Sequence, residues 1–113
     1  MRLRTTETGN NGVEPSLSSP TGVVDEDELT HIVYSRDTSG KANLYIDNEL
    51  VNSEQIAGNS SNWDLNYELG LANELTGDRP WTGTYDLVAV YDRALSSEEV
   101  TQNFLQGSHV SVV

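Results

Sequence analysis

The sequence predicts an all-β fold, an antiparallel sandwich closed by one short C-terminal helix, and three observations carry that expectation. Short β-type runs recur between turn residues, the run at residues 84–92 is apolar on both faces, and a single stretch beginning at Ser96 has the marks of a helix start. With 113 residues the chain is read as one domain, residues 1–113, large enough for a modest core. Residues 1–28 are expected to be partly loop or disordered, and residues 29–107 to hold the core.

Taken in order, a short strand is expected near residues 1–8, and residues 9–21, rich in Gly, Asn, Ser and Pro, read as a long loop. The acidic run Asp25, Glu26, Asp27, Glu28 precedes residues 29–37, where Ile32, Val33 and Tyr34 mark a strand. After the turn Thr38-Ser39-Gly40-Lys41, residues 42–47 form the next strand. Asp47-Asn48 is a two-residue turn signal in which Asn48 accepts positive φ, so residues 49–54 return as the partner strand of an antiparallel meander. Leu65, Tyr67, Leu69 and Leu71 alternate with Asn66, Glu68 and Gly70, the pattern of a half-buried strand. Residues 73–80 form a polar loop. In residues 84–92, Tyr85, Leu87, Ala89 and Tyr91 fall on one side and Val88 and Val90 on the other, so this strand is expected to be covered on both faces. The string LSSEEV then places Ser96 at the N-cap, Glu99 at the capping-box position and Leu95 against Val100 as a hydrophobic staple. Val100 and Phe104 share a face and Gly107 suits the C-terminal cap, giving a helix over residues 97–106. These face assignments assume ordinary strand registers.

Composition narrows the function classes. Eighteen acidic residues against six basic ones give a formal charge of -12, which repels nucleic acid and anionic lipid and leaves cation binding as the favoured direction. There is no cysteine, so disulfides and thiolate metal sites are excluded. A mean hydropathy of -0.49, with no stretch apolar enough to cross a bilayer, gives no membrane insertion. Residues 1–4 lead into polar residues rather than an apolar segment, so no signal peptide is expected.

The segments HIVYSRDTSGKANLYIDNELV and YELGLANELTGDRPWTGTYDLVAVYDRALSSEEV carry a resemblance. His31-Ile32-Val33, Leu44-Tyr45-Ile46-Asp47, Leu69-Gly70-Leu71, Gly83, Asp86, and Tyr91 through Ser96 with Glu99 resemble, in order, the second half of a laminin-G-like, concanavalin A-like jelly-roll domain. Thr30 stands where that family often has Trp, and Asn48 replaces the usual turn Gly, which Asn tolerates. The resemblance covers roughly residues 29–107 and implies a jelly-roll-like β-sandwich. It also implies a truncated domain, since such domains have further strands before His31, and therefore self-association into a homo-oligomer.

The family spans glycan-binding lectins, adhesion modules and polysaccharide-degrading enzymes. A glucanase of this kind needs paired carboxylates on a concave sheet, supplied by an E-x-D-x-x-E strand, and that motif does not occur. Asp47 with Glu49 flanks a turn and Glu98 with Glu99 caps a helix, so no catalytic residue is assigned. His31 reads as a core-edge hydrogen-bonding residue, His109 lies in the C-terminal tail, and Asp86 reads as structural. Exposed aromatic rings stack on sugars while neighbouring polar groups read hydroxyls. Trp63, in NSSNWD, is the candidate of that type, whereas Trp81 is read as a core anchor. The expected ligand contacts are Trp63, Asp64, Asp78 and Arg79. Calcium is the candidate cofactor, held by Asp64 and Asp78 through hard oxygen ligands; EF-hand spacing is missing, and solvated loop acids with no cofactor are the favoured competing reading. The chain is thus read as a noncatalytic carbohydrate- or protein-binding module, extracellular or at the cell envelope by resemblance. A ligand-free architectural or self-association sandwich is the alternative, and an enzyme is disfavoured.

Overall fold

Ile32, Val33 and Tyr34 form the strand their residue types favour, and the two turns that follow fold the chain back on itself twice. The computed structural model describes residues 1–9, 14–66, 77, 80 and 82–107. Strands β1 (Ile32–Arg36), β2 (Lys41–Ile46) and β3 (Glu49–Gln55) make an antiparallel sheet in that order, and α1 (Ser97–Gln106) follows near the C-terminus. The predicted class, antiparallel β with one short helix, is the observed one.

Each connection is built by local chemistry. Between β1 and β2, Asp37 accepts the Gly40 N–H at its carbonyl, while its carboxylate accepts from Ser39 N, Ser39 Oγ and Lys41 N. The Ser39 hydroxyl, 2.6 Å away, is the main reason the Asp37 carboxyl sits below its ordinary range. Gly40 has φ +92°, and a Cβ there would lie 2.6 Å from the Ile56 carbonyl oxygen. Between β2 and β3, Asp47 and Asn48 both take positive φ, 47° and 68°, the two-residue turn whose twist matches its strands.

Ile32, Tyr34 and Arg36 face Ile46, Leu44 and Ala42 across the ladder. This side of the sheet carries the core of Leu17, Ala42, Leu44, Ile46 and Ile56, with Leu3, Tyr34 and Val51 packed around it. Fully burying a Leu or Ile side chain contributes about 1.5–3 kcal/mol. The ordinary register expected for β3 is broken: Tyr45 pairs with Leu50 and Leu44 with Asn52, so Val51 is an extra residue, turned toward the core by the bulge.

Arg36 ties the end of β1 to the chain leaving β3. Its Nε and Nη2 donate to the Ile56 carbonyl at 3.1 and 2.8 Å, and Nη2 donates to the Gly58 carbonyl at 2.7 Å. A guanidinium fork suits two adjacent carbonyls better than an ammonium would.

Three expectations are corrected. Residues 1–8 form no strand; Met1 and Leu17 exchange backbone hydrogen bonds, and Thr5 and Thr8 bond one another locally. The described part of residues 9–21 is a loop, as expected, and it contributes the fully buried Leu17. Leu65 is 98% exposed and lies in a turn with Asn66; the remainder of that predicted strand, residues 67–71, lies outside the described residues. Residues 84–92 form no strand and are exposed, so the covering expected on both faces is not seen among the described residues.

The helix is as predicted. Ser96 Oγ accepts from Glu99 N, Glu99 Oε1 accepts from Ser96 N, and the Gly107 N–H caps the carbonyls of Asn103 and Phe104. Val100 is fully buried, and Arg93 clamps Glu99 from the preceding segment. The helix meets the sheet where Thr101 donates to Asn48 Oδ1 at 2.8 Å and where the Phe104 ring lies 5.8 Å from His31.

Candidate recognition groove and its rim

Among the described residues β1 is an edge strand, and residues 84–93 help line a groove beside it, about 1190 Å³ in volume. Tyr34, Tyr85 and Tyr91 line it, with Trp63 and Arg4 at its rim and Phe104 from the helix. Asn103 Nδ2 donates to the Tyr91 hydroxyl at 3.3 Å, which fixes that ring against α1. The Tyr34 hydroxyl and His31 Nδ1 are buried without a hydrogen-bond partner among the described residues. Burial raises the Tyr34 pKa, offset in part by the Arg36 charge. His31 is therefore at the core edge, as expected, but its ring lies tilted against Phe104 and its backbone N–H, rather than its imidazole, bonds Asp47 Oδ1.

The rim loop is built from side-chain-to-backbone turns. Asn59 Oδ1 accepts from Ser61 N, Ser60 O accepts from Trp63 N, and Asp64 Oδ1 accepts from Asn66 N and Nδ2. The N-terminal segment holds this loop in place. Thr6 N donates to Asn59 O, Asn62 Nδ2 to Thr5 O, Thr5 Oγ1 to Ala57 O, and the Trp63 indole N–H to Arg4 O. Gly58 permits this approach, since a Cβ there would lie 2.6 Å from Thr6 Oγ1. The Trp63 ring is thus anchored at its polar edge while 52% of the residue stays exposed.

Of the residues expected to bind ligand, Trp63 and Asp64 are neighbours on this rim and both are exposed. Asp78 and Arg79 lie outside the described residues, as does Trp81. Among the described residues no group of three or more His, Asp or Glu is gathered as for a metal ion. Sequence reasoning missed Arg4, Tyr34 and Tyr91 as parts of one groove; the alternation of Tyr85 to Tyr91 was the available signal, and it was assigned to core burial.

An antiparallel sheet, an aromatic-lined groove and a loop rim define a β-type fold. Residues 2–101 match the laminin-G family model described as the concanavalin A-like lectin/glucanases superfamily, and the chain belongs to that family. The match begins well before residue 29, so the N-terminal segment is part of the family's pattern too. Among solved structures, the chain is similar to the 2.1 Å crystal structure of an S-layer domain-containing protein (residues 221–444) from Clostridium thermocellum, with a TM-score of 0.51 and 17% identity over 76% of this chain and 43% of that one. That likeness concerns the fold, and the chain spans less than half of the similar structure. No curated protein sequence matches the chain.

Proposed function

We propose that the chain is a noncatalytic recognition module of an extracellular or cell-envelope protein, binding carbohydrate at the rim around Trp63. The observation that carries this reading is the half-exposed Trp63 ring, held by its N–H on the Arg4 carbonyl and so presented without rotamer freedom. Asp64 beside it, with Asp78 and Arg79, supplies hydroxyl-reading groups. Membership of a superfamily that includes lectins supports the binding class. The S-layer description of the similar structure supports the envelope setting. The missing E-x-D-x-x-E motif supports a noncatalytic role. A chain of charge -12 favours neutral over anionic glycans. Calcium held by Asp64 and Asp78 belongs to the same reading, supported by the acidic composition and by the place of Asp64 on the rim.

The test is Trp63→Ala, read by glycan-panel binding and by far-UV circular dichroism. Binding is expected to weaken at least tenfold with the fold retained and a stability cost of about 1 kcal/mol from the lost indole hydrogen bond. Binding that survives the substitution removes the rim from the function. An amide ¹⁵N–¹H titration with calcium, read at Asp64 and Asp78, checks the metal directly.

A further inference from the structure

We propose that Arg4 is a ligand-reading residue of the Trp63 rim, and that together with Asp64 it selects a neutral sugar bearing adjacent hydroxyls; the inference rests on the carbohydrate-binding reading above. Arg4 is exposed, it lines the groove with Ser60 and Trp63, and its carbonyl accepts the Trp63 indole N–H. The main chain of Arg4 therefore holds the platform, which leaves its side chain for another task.

The other arginines set the contrast. Arg36 spends its guanidinium on the Ile56 and Gly58 carbonyls, and Arg93 spends its own on Glu99. Among the described residues the Arg4 side chain has no hydrogen bond or ion pair, although the chain holds eighteen acidic residues. Arg2 is likewise unpaired among them, but it does not line the groove.

The chemistry at the platform defines what fits. A guanidinium stays charged and offers five N–H donors and no acceptor. Asp64 follows Trp63 in the chain and uses Oδ1 alone for its local turn, accepting from Asn66 N and Nδ2. Its Oδ2 takes no hydrogen bond among the described residues, and a carboxylate only accepts. A donor-only cation and an acceptor-only anion thus both adjoin Trp63, one through the indole hydrogen bond and one in sequence. A hydroxyl donates and accepts, so neighbouring hydroxyls of a sugar stacked on the ring satisfy both groups. A uronate would suit Arg4 but meet Asp64 and a chain of charge -12, whereas an ammonium sugar would suit Asp64 but meet Arg4. A neutral sugar is opposed by neither.

The test is a glycan array of neutral, uronate-bearing and free-amino oligosaccharides, probed with the full chain at a fixed calcium concentration and followed by calorimetric titration of the strongest neutral member. The neutral class is expected to bind best. Arg4→Ala keeps the carbonyl that holds Trp63, so it should weaken binding about tenfold or more with melting temperature and tryptophan emission unchanged. Arg4→Lys keeps the charge without the fork and should recover only part of the loss. Arg2→Ala removes the same charge away from the groove and should leave affinity unchanged. Equal losses in Arg4→Ala and Arg2→Ala overturn the proposal in favour of long-range charge, and an altered emission in Arg4→Ala overturns it in favour of a structural role. Preference for either charged class overturns the selection of neutral sugars. Binding that is lost in Trp63→Ala but indifferent to Arg4→Ala removes Arg4 and leaves the Trp63 rim standing, whereas a chain that binds no member of the array overturns both.

Discussion

Residues 32–55 and residues 84–92 carry equally strong β-type sequence, yet the first is a three-stranded sheet and the second an exposed, extended stretch that forms no strand. Propensity is common to both; what differs is how far away the hydrogen-bonding partner lies. In the sheet, each strand finds its neighbour across a turn of two to a few residues whose geometry is set by Asp37, Gly40, Asp47 and Asn48. Among the described residues no such turn adjoins residues 84–92, and alternation alone fixes neither partner nor register.

The sharpest way to break the contrast is at the core under the sheet. Leu17→Ala should destabilise the chain by about 3 kcal/mol in chemical denaturation, because a fully buried side chain leaves a cavity. Arg36→Ala comes next, at about 2 kcal/mol, since two backbone carbonyls lose a charged donor, and Arg36→Lys should restore only part of it. Ser96→Ala removes the N-cap of α1 and should cost about 1 kcal/mol, read by the same unfolding curves. Leu87→Ser, in the exposed extended segment, should change stability by less than about 0.5 kcal/mol. A large effect there would mean that the segment is packed in the folded chain and would dissolve the contrast.

Acid titration probes the junction between the two regions. The Arg93 guanidinium and the Ser96 backbone N–H hold Glu99 well below its ordinary 4.5, at about 2. A carboxyl depressed in the folded state contributes stability that is present above pH 4.5 and is lost as pH falls toward 2. Helix content followed by circular dichroism should therefore decline over that window, and Glu99→Gln should flatten the decline.

How much was legible in the sequence follows the same division. The Asp47-Asn48 turn and the Ser96/Glu99 capping box are codes contained in a few consecutive residues, and both appear as read. Leu17 was not legible because one Leu among Ser and Pro has no periodicity, although it anchors the core. The Val51 bulge was hidden because β3 reads as an ordinary alternating strand. On the rim, the sequence singled out Trp63 and Asp64, but the contact between Arg4 and Trp63 spans 59 positions and has no local signature.

That contact makes the opening of the chain a tuning element for whatever the rim touches. Residues 4–6 support the loop at Ala57, Asn59, Asn62 and Trp63, and Arg4, Thr5 and Thr6 do so partly through backbone groups that many side chains would leave in place. Specificity could therefore drift through changes that reposition the tryptophan without altering any residue of its own loop. A directed-evolution library restricted to residues 59–66 would sample the platform and omit the mount that sets its angle.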